Sequence, residues 1–258
     1  MATFRAAVIV TVFLAVTAFL IPCQWLFLKL RLPWRTTFPY RYHRFVAWLF
    51  GIHIRVVGVR PDAAALIVAN HTGWLDIVIF SAVMPLSFVA KSEVGSWPFF
   101  GTLARLQRTV FVQRVRRSQT GAARDTIRER LLLGDTLVLF PEGTSSDGND
   151  VLAFKSALLG AAEAVMADGR HVNVQPVSTA YLASNGMPLG REGRPLYAWY
   201  GDMELVPHLW EALKAGPLDV LVQFHAPLSL DSMDRKTLAK RAESAVRDGQ
   251  AKALAGLI

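Results

Sequence analysis

An uncharged N-terminal stretch constrains this chain more than any other feature of its sequence. From Ala6 to Leu28 (AAVIVTVFLAVTAFLIPCQWLFL) no charged residue occurs. At a rise of about 1.5 Å per residue, a helix of this length matches the roughly 30 Å hydrocarbon core of a bilayer. Hydrophobic residues also make up 52% of the whole chain. The segment therefore predicts an N-terminal membrane anchor.

Basic residues follow this stretch, namely Lys29, Arg31, Arg35, Arg41 and Arg44, whereas only Arg5 and the terminal amine precede it. Such a bias predicts that the following domain lies on the cytoplasmic side of the membrane. A cleaved signal peptide is disfavoured, because the apolar run is long and no A-x-A site follows it. A second aromatic segment, Phe38 to Ile52, leaves open a hairpin lying in one leaflet. We expect an anchor over residues 1–52 and one globular domain over 53–258.

The net positive charge indicates which classes of partner the chain is able to bind. The 28 Lys and Arg residues outnumber the 20 Asp and Glu residues, for a net charge of +8. No zinc-finger spacing or RNP-like motif accompanies them, so we expect no nucleic acid as partner. Anionic lipid, phosphate groups or an acidic carrier protein fit better. Cys23 is the single cysteine, which excludes an intrachain disulfide and a cysteine-rich zinc site.

Beyond the anchor, short β-branched runs alternate with helical patterns, which predicts an α/β domain. The expected strands are Ile54–Val59, Leu66–Ala69, Phe88–Ala90, Val110–Gln113, Thr136–Phe140, Val172–Thr179, Leu196–Trp199 and Val220–His225. The expected helices are Trp74–Val83, Ser118–Leu133, Phe154–Met166, Glu204–Lys214 and Asp234–Asp248.

The stretch NHTGWLD places His71 in a turn between a predicted strand and a predicted helix. Such turns commonly bind ligands in α/β sheets. Asp76 falls in the first helical turn, where it can accept a hydrogen bond from one imidazole nitrogen and stabilise the ring when the other nitrogen takes a proton. The pair predicts a general base. A second interpretation stays open at this point, in which Asp76 only complements the helix dipole and His71 packs in the turn.

A second polar turn follows another apolar strand in LVLFPEGTSSDG, Leu137 to Gly148. Pro141 ends the strand pairing, and Gly143 permits a close approach of the backbone. Thr144, Ser145 and Ser146 offer hydroxyl and N–H groups at an edge expected to face a ligand.

Together, NHTGWLD and FPEGTSS resemble the glycerolipid acyltransferase family, which includes 1-acylglycerol-3-phosphate acyltransferases. The family carries H-x4-D as its first motif and F-P-E-G-T as its third, and both stand here intact. VFVQR, with Arg114, is similar to the second motif, and VQPVSTAY, with Pro176 and Val177, to the fourth. The resemblance runs in family order from about Gly58 to Tyr181.

The resemblance implies one acyltransferase domain with a central mixed sheet flanked by helices. It implies that His71, oriented by Asp76, deprotonates a lysolipid hydroxyl that attacks an acyl-CoA or acyl carrier protein thioester, without an acyl-enzyme, a metal or a cofactor. We further expect Thr72 and Gly73 to offer N–H groups to the oxyanion. The substrate-binding residues that the resemblance implies are Arg114, Glu142, Gly143, Thr144, Lys91, Lys155 and Pro176, although both lysines also fit an ordinary surface role.

The acceptor is less constrained. The basic charges favour lysophosphatidate, to give phosphatidic acid. The aromatic segment from Gly193 to Leu213 resembles, more loosely, bacterial relatives that acylate lyso-ornithine lipids, and an aromatic core segment is the other interpretation. The alternative from a different class is a catalytically silent lipid-binding protein on the same fold. The remaining histidines show no metal-ligand spacing and are interpreted as structural: His43, His53, His171, His208 and His225.

Overall fold

Two N-terminal helices lie against an α/β domain in the computed structural model. The structure describes residues 1–112, 117–164, 169 and 171–258, with side chains for all of these except 117–120. Helix α1 spans Ala2–Lys29 and helix α2 spans Trp34–Phe50. Phe27 packs on Phe38, and Thr17 bonds Tyr42. The two helices therefore run antiparallel, as the hairpin alternative predicted.

The apolar helix α1 is fastened to the domain near both of its ends. Arg5 donates to the carbonyl of Leu213 at 2.5 Å, and Gln24 donates to the carbonyl of Leu106 at 2.9 Å. By length and composition α1 is able to cross a membrane, and 17% of its most apolar window is buried within the structure. Its outward face exposes large apolar side chains: Phe4, Val8, Leu14, Phe19, Trp25 and Leu26.

An eight-stranded mixed sheet forms the centre of the domain, which confirms the predicted fold class. Its strands are β1 Ile52–Val57, β2 Ala65–Ala69, β3 Ser87–Lys91, β4 Val110–Val112, β5 Leu137–Leu139, β6 Asn173–Ser184, β7 Met187–Pro188 and β8 Leu218–Phe224. The order is β1-β8-β6-β2-β5-β3-β4, with β7 paired to β6. The strands from β6 to β4 in this order are parallel, whereas β8 is antiparallel to β6 and carries β1 parallel to itself.

Helices cover both faces of the sheet. They are α3 Leu75–Val83, α4 Phe100–Leu106, α5 Arg117–Leu132, α6 Gly190–Gly193, α7 Leu205–Ala215 and α8 Arg235–Leu254. One apolar core joins the sheet to α1, α2, α3 and α7, through residues such as Phe50, Ile79 and Leu213. A second core joins the opposite face to α5 and α8, through Ile127 and Val246. The strands read as apolar runs because they are covered on both sides.

Two predicted elements are wrong. Leu196–Trp199 is not a strand: Arg194–Leu196 forms a 3₁₀ helix, and the main-chain N–H of Trp199 donates to Thr72 rather than to a strand. In the predicted helix Phe154–Met166, the structure has only a 3₁₀ helix at Leu159–Glu163, while Met166 lies outside the described residues. The N–H groups of Phe154 and Lys155 bond Glu243 and Pro141, so a regular helix does not start there.

Candidate active site

The two polar turns meet because β2 and β5 are parallel neighbours, with Leu66 opposite Leu137. The residues that follow each strand therefore reach the same edge of the sheet. Asn70 fixes the end of β2: its amide nitrogen donates to the carbonyl of Thr179 at 2.9 Å, and its amide oxygen accepts from the N–H of Thr179 at 2.8 Å. This two-way pairing holds the start of the turn against β6.

His71 and Asp76 are in direct contact, as the spacing predicted. The distance between His71 Nδ1 and Asp76 Oδ2 is 2.8 Å. Asp76 is fully buried, whereas the His71 side chain keeps 22% of its surface exposed. Gly73 makes the tight turn possible, because its φ is +151° and an added Cβ would lie 2.7 Å from the main-chain nitrogen of Trp199. A larger residue there would push the turn and the aromatic segment apart.

The hydrogen bonds around Asp76 fix the tautomer of His71. Asp76 Oδ2 also accepts from the N–H groups of Thr72 at 2.7 Å and Gly73 at 3.0 Å, which are able only to donate. Oδ2 is therefore an acceptor, and the proton of the contact with His71 belongs to Nδ1. The lone pair of Nε2 is left to take a proton from a substrate, which is the chemistry of a general base.

This geometry corrects the expectation for the oxyanion. Thr72 and Gly73 were expected to offer their N–H groups to a negatively charged substrate oxygen. Both groups instead donate to the buried Asp76, so that interpretation is wrong. Their contribution is to hold the carboxylate that holds the histidine.

Tyr181 completes the surroundings of Asp76 and was missed as a site residue. Its hydroxyl donates to Asp76 Oδ1 at 3.0 Å, from a fully buried position on β6. Burial, and next the charge of Asp76, raise the pKa of Tyr181 well above its usual value, so the phenol keeps the proton it donates. The sequence signal was a tyrosine at the end of the fourth motif-like stretch, on a strand beside β2.

Glu142 holds the main chain of His71. Its Oε2 accepts from the N–H of His71 at 3.3 Å, and its Oε1 accepts from the N–H of Leu152 at 3.1 Å. Only 2% of Glu142 is exposed, and this burial raises its pKa to about 8. The structure thus gives Glu142 a positioning role, and the head-group contact implied by the resemblance remains a prediction.

Further contacts clamp His71 to the third-motif turn. Its ring stacks on Phe140, with centroids 4.1 Å apart and planes 13° from parallel. Its carbonyl accepts from the N–H of Ser146 at 2.8 Å. Gly143, with φ +79°, turns the chain between these two contacts, and Thr144 beside it is exposed. A substrate contact of Gly143 or Thr144 remains a prediction.

The other implied binding residues are spread more widely. Lys91 is exposed at the end of β3, and Lys155 is exposed beside the third-motif turn, its N–H donating to the carbonyl of Pro141. Pro176 is buried within β6 opposite Val68, a position in the sheet rather than at its edge. Arg114 lies outside the described residues. Their predicted contacts with substrate remain predictions.

An apolar cavity of about 220 Å³ adjoins the catalytic turn. Trp74, three residues after His71, lines the cavity together with Phe50 and Phe13, whose rings pack in series. Gln24 and Leu106, which are joined by a hydrogen bond, also line it. From Phe13 to Gln24 the cavity follows α1 for eleven residues, or roughly 16 Å at the helical rise.

The part of the chain that the structure describes holds no group of three or more His, Cys, Asp or Glu side chains suited to a metal ion. The expectations of no metal and no cofactor both remain predictions.

Comparison with known proteins gives one consistent picture. A family model described as "Acyltransferase" matches residues 53–180. A lyso-ornithine lipid O-acyltransferase of Brucella abortus (strain 2308) is 49% identical over 249 residues, covering 95% of this chain and 93% of that protein. A 1-acyl-sn-glycerol-3-phosphate acyltransferase of Neisseria gonorrhoeae is 34% identical over 183 residues, covering 70% of this chain and 68% of that protein.

A solved structure supports the same fold. The 1-acyl-sn-glycerophosphate acyltransferase PlsC from Thermotoga maritima superposes with a TM-score of 0.70, at 21% identity, and covers 98% of each chain. At this level of identity the likeness concerns the architecture alone. It extends over the N-terminal helices as well as the sheet.

Proposed function

Because this chain belongs to the glycerolipid acyltransferase family, we propose that it is a lyso-ornithine lipid O-acyltransferase. The family resemblance and the O-acyltransferase activity expected from the two motifs are confirmed, and the acceptor is a lysolipid. The named relatives are enzymes, which speaks against the silent lipid-binding alternative. The finer assignment of donor and acceptor is our proposal.

The chemistry follows from the unprotonated Nε2 of His71. This nitrogen takes the proton from the lysolipid hydroxyl as the hydroxyl oxygen forms a bond to the thioester carbonyl carbon. The tetrahedral intermediate then collapses with loss of the carbon–sulfur bond, and the imidazolium returns its proton to the departing thiolate. Asp76 stabilises the charged ring between these two steps. His71 returns to its starting state, so the cycle needs neither an acyl-enzyme nor a cofactor.

The acyl thioester is proposed to place its hydrocarbon chain in the apolar cavity. Trp74 lines the cavity three residues after His71, and the cavity walls are predominantly apolar. A chain that enters beside Trp74 keeps its carbonyl near His71 and buries its methylenes along α1. The donor is either acyl-CoA or acyl carrier protein, since this arrangement addresses the shared acyl chain and thioester.

The observation that carries the acceptor proposal is the likeness to lyso-ornithine lipid O-acyltransferases, at 49% identity over 95% of the chain. A second such relative, from Rhizobium meliloti (strain 1021), is 43% identical over 88% of the chain. These likenesses extend beyond residue 180, where the family model ends, into the segment that contacts the catalytic turn through Trp199. Lysophosphatidate is the second candidate, supported by the shorter match at 34% identity.

An acceptor competition tests the proposal. Purified protein in vesicles receives a labelled acyl thioester and equal amounts of lyso-ornithine lipid and lysophosphatidate, and the products are separated by mass. We expect diacyl ornithine lipid to dominate. Phosphatidic acid as the main product would favour the second candidate, and no product with either acyl-CoA or acyl carrier protein would overturn both.

The fastening of α1 supports a monotopic attachment rather than a crossing helix. Arg5 and Gln24, nineteen residues apart, both bond the catalytic domain. A helix that left the domain to cross the bilayer would break at least one of these contacts. We place the outward face of α1 in one leaflet, on the cytoplasmic side of the inner membrane, where acyl thioesters are made.

A further inference from the structure

Trp74 stands between the catalytic base and the apolar cavity. It precedes the first residue of α3, three positions after His71, and its ring lines the cavity. Phe50 packs edge-on against it, with centroids 6.2 Å apart. A chain that passes from the cavity to His71 on this side runs along the indole.

His208 accepts a hydrogen bond from the indole of Trp74. The indole N–H donates to His208 Nδ1 over 3.0 Å, and the two rings are nearly perpendicular, at 82°. An indole N–H is only a donor, so Nδ1 accepts and this nitrogen is unprotonated. Burial lowers the pKa of His208, which favours the neutral ring that the contact needs.

His208 belongs to helix α7, which contributes to the cavity wall. Leu205 and Leu209 line the cavity, and His208 lies between them in sequence on α7. Positions three and four residues apart share one face of a helix. The same helix packs on α1, so the contact is held within a rigid frame.

We infer that His208 is a positioning residue that orients Trp74 and so aligns the acyl chain with His71. The inference rests on the proposed function. Acyl transfer needs the reacting atoms about 3 to 3.5 Å apart with correct alignment. If the indole of Trp74 loses its hydrogen bond to His208, the rest of the cavity stays in place, but the thioester carbonyl is no longer aligned with His71. The loss should therefore fall on kcat, while the KM for the acyl thioester, which depends mainly on burial of the chain, changes little.

The test compares wild type with His208→Leu, His208→Asn and Trp74→Phe, using the lysolipid that wild type acylates. We expect His208→Leu and Trp74→Phe each to lower kcat by roughly three- to tenfold, the scale of one lost hydrogen bond, with donor KM within about twofold. His208→Asn, whose amide oxygen can accept where Nδ1 does, should recover most of kcat. The double variant His208→Leu/Trp74→Phe should have the same kcat as Trp74→Phe alone.

The control is His53→Leu, because His53 pairs with Asp219 on the surface, at the start of β1. It should leave both constants unchanged. If His208→Leu does not fold, Trp74→Phe carries the same expectation. Wild-type kcat in both His208→Leu and Trp74→Phe, or an equal loss in His208→Asn and His208→Leu, overturns the inference while the proposed function stands. A wild type that acylates no lysolipid overturns the proposed function and this inference with it.

Discussion

Tyr181 donates a hydrogen bond of 3.0 Å to the oxygen of Asp76 that His71 does not contact. The two residues are 105 positions apart in sequence, on α3 and β6, and the tertiary fold brings them together. Asp76 thus receives hydrogen bonds from His71, Thr72, Gly73 and Tyr181. A carboxylate held on both oxygens cannot rotate, and this keeps the imidazole of His71 in one orientation.

Replacing Tyr181 by Phe should therefore weaken both the fold and the catalytic pair. We expect a loss of about 1.5 to 3 kcal/mol in the free energy of unfolding, typical of a hydrogen bond to a charged group, and a lower kcat. Urea unfolding and initial rates measure the two effects. Tyr197→Phe is the matched control, since that phenol bonds Ser184 and Gly216 instead of the catalytic pair. Equal losses of kcat in the two variants would contradict the role given to Tyr181.

Glu142 should make the stability of the protein depend on pH. Its folded-state pKa is about 8, against 4.5 as the ordinary value, so the folded protein keeps a proton that the unfolded chain has lost. The stabilisation by Glu142 is fully present below about pH 4.5 and is lost as the pH rises through about 8. The slope in this window is at most about 1.4 kcal/mol per pH unit.

Glu142→Gln isolates this contribution, because the amide does not titrate. We define the difference as the free energy of unfolding of wild type minus that of Glu142→Gln, measured by urea unfolding in detergent. We expect this difference to fall as the pH rises from about 5 to about 8. Other ionisable groups change both proteins alike and cancel in the difference. A difference that stays constant over this range would show that Glu142 titrates normally.

Much of the site was predictable because its key residues, His71 and Asp76, are close together in the sequence. An apolar strand, a turn residue and a carboxylate in the first helical turn suffice to bring His71 to Asp76, and the structure confirms that contact. Most strands follow in the same way from apolar runs, whereas the mixed sheet was implied by the family resemblance. These features depend on residues that are near one another in the chain.

The errors concern residues whose roles depend on distant packing. The N–H groups of Thr72 and Gly73 were available in the sequence and are occupied in the fold. Trp199 was placed in a strand, whereas its main chain bonds Thr72 and Ser145. Periodicity in sequence carries no information about such contacts.

Filling the far part of the cavity should shift the preferred acyl chain. Leu20 lines the cavity on α1, towards Gln24. In Leu20→Trp, the larger ring occupies space meant for the end of the chain, so kcat/KM should fall for thioesters of sixteen carbons more than for those of ten. Leu14→Trp is the control, because Leu14 faces outward on the same helix. If the ratio of kcat/KM for the two thioesters is unchanged in Leu20→Trp, the acyl chain does not bind in this part of the cavity.

The outward face of α1 should account for membrane attachment. Phe19 and Trp25 are 76% and 53% exposed. Replacing both by Ser should lower vesicle binding at least tenfold, since burying one large apolar side chain is worth roughly 1.5 to 3 kcal/mol. The control replaces Leu133 and Met187 by Ser and should bind vesicles like wild type. These two side chains are 72% and 70% exposed and do not belong to α1. Release of wild type by high salt alone would instead indicate electrostatic attachment.

The rate of acyl transfer by His71→Ala tests the central claim most directly. Labelled acyl thioester and lyso-ornithine lipid are mixed with wild type, His71→Ala and the double variant with Asp76→Asn, and diacyl lipid is followed by mass. We predict a rate lower by roughly 10²- to 10⁴-fold in His71→Ala, with folding and vesicle binding retained, and little further loss in the double variant. A His71→Ala protein that forms diacyl ornithine lipid at the wild-type rate would contradict the account.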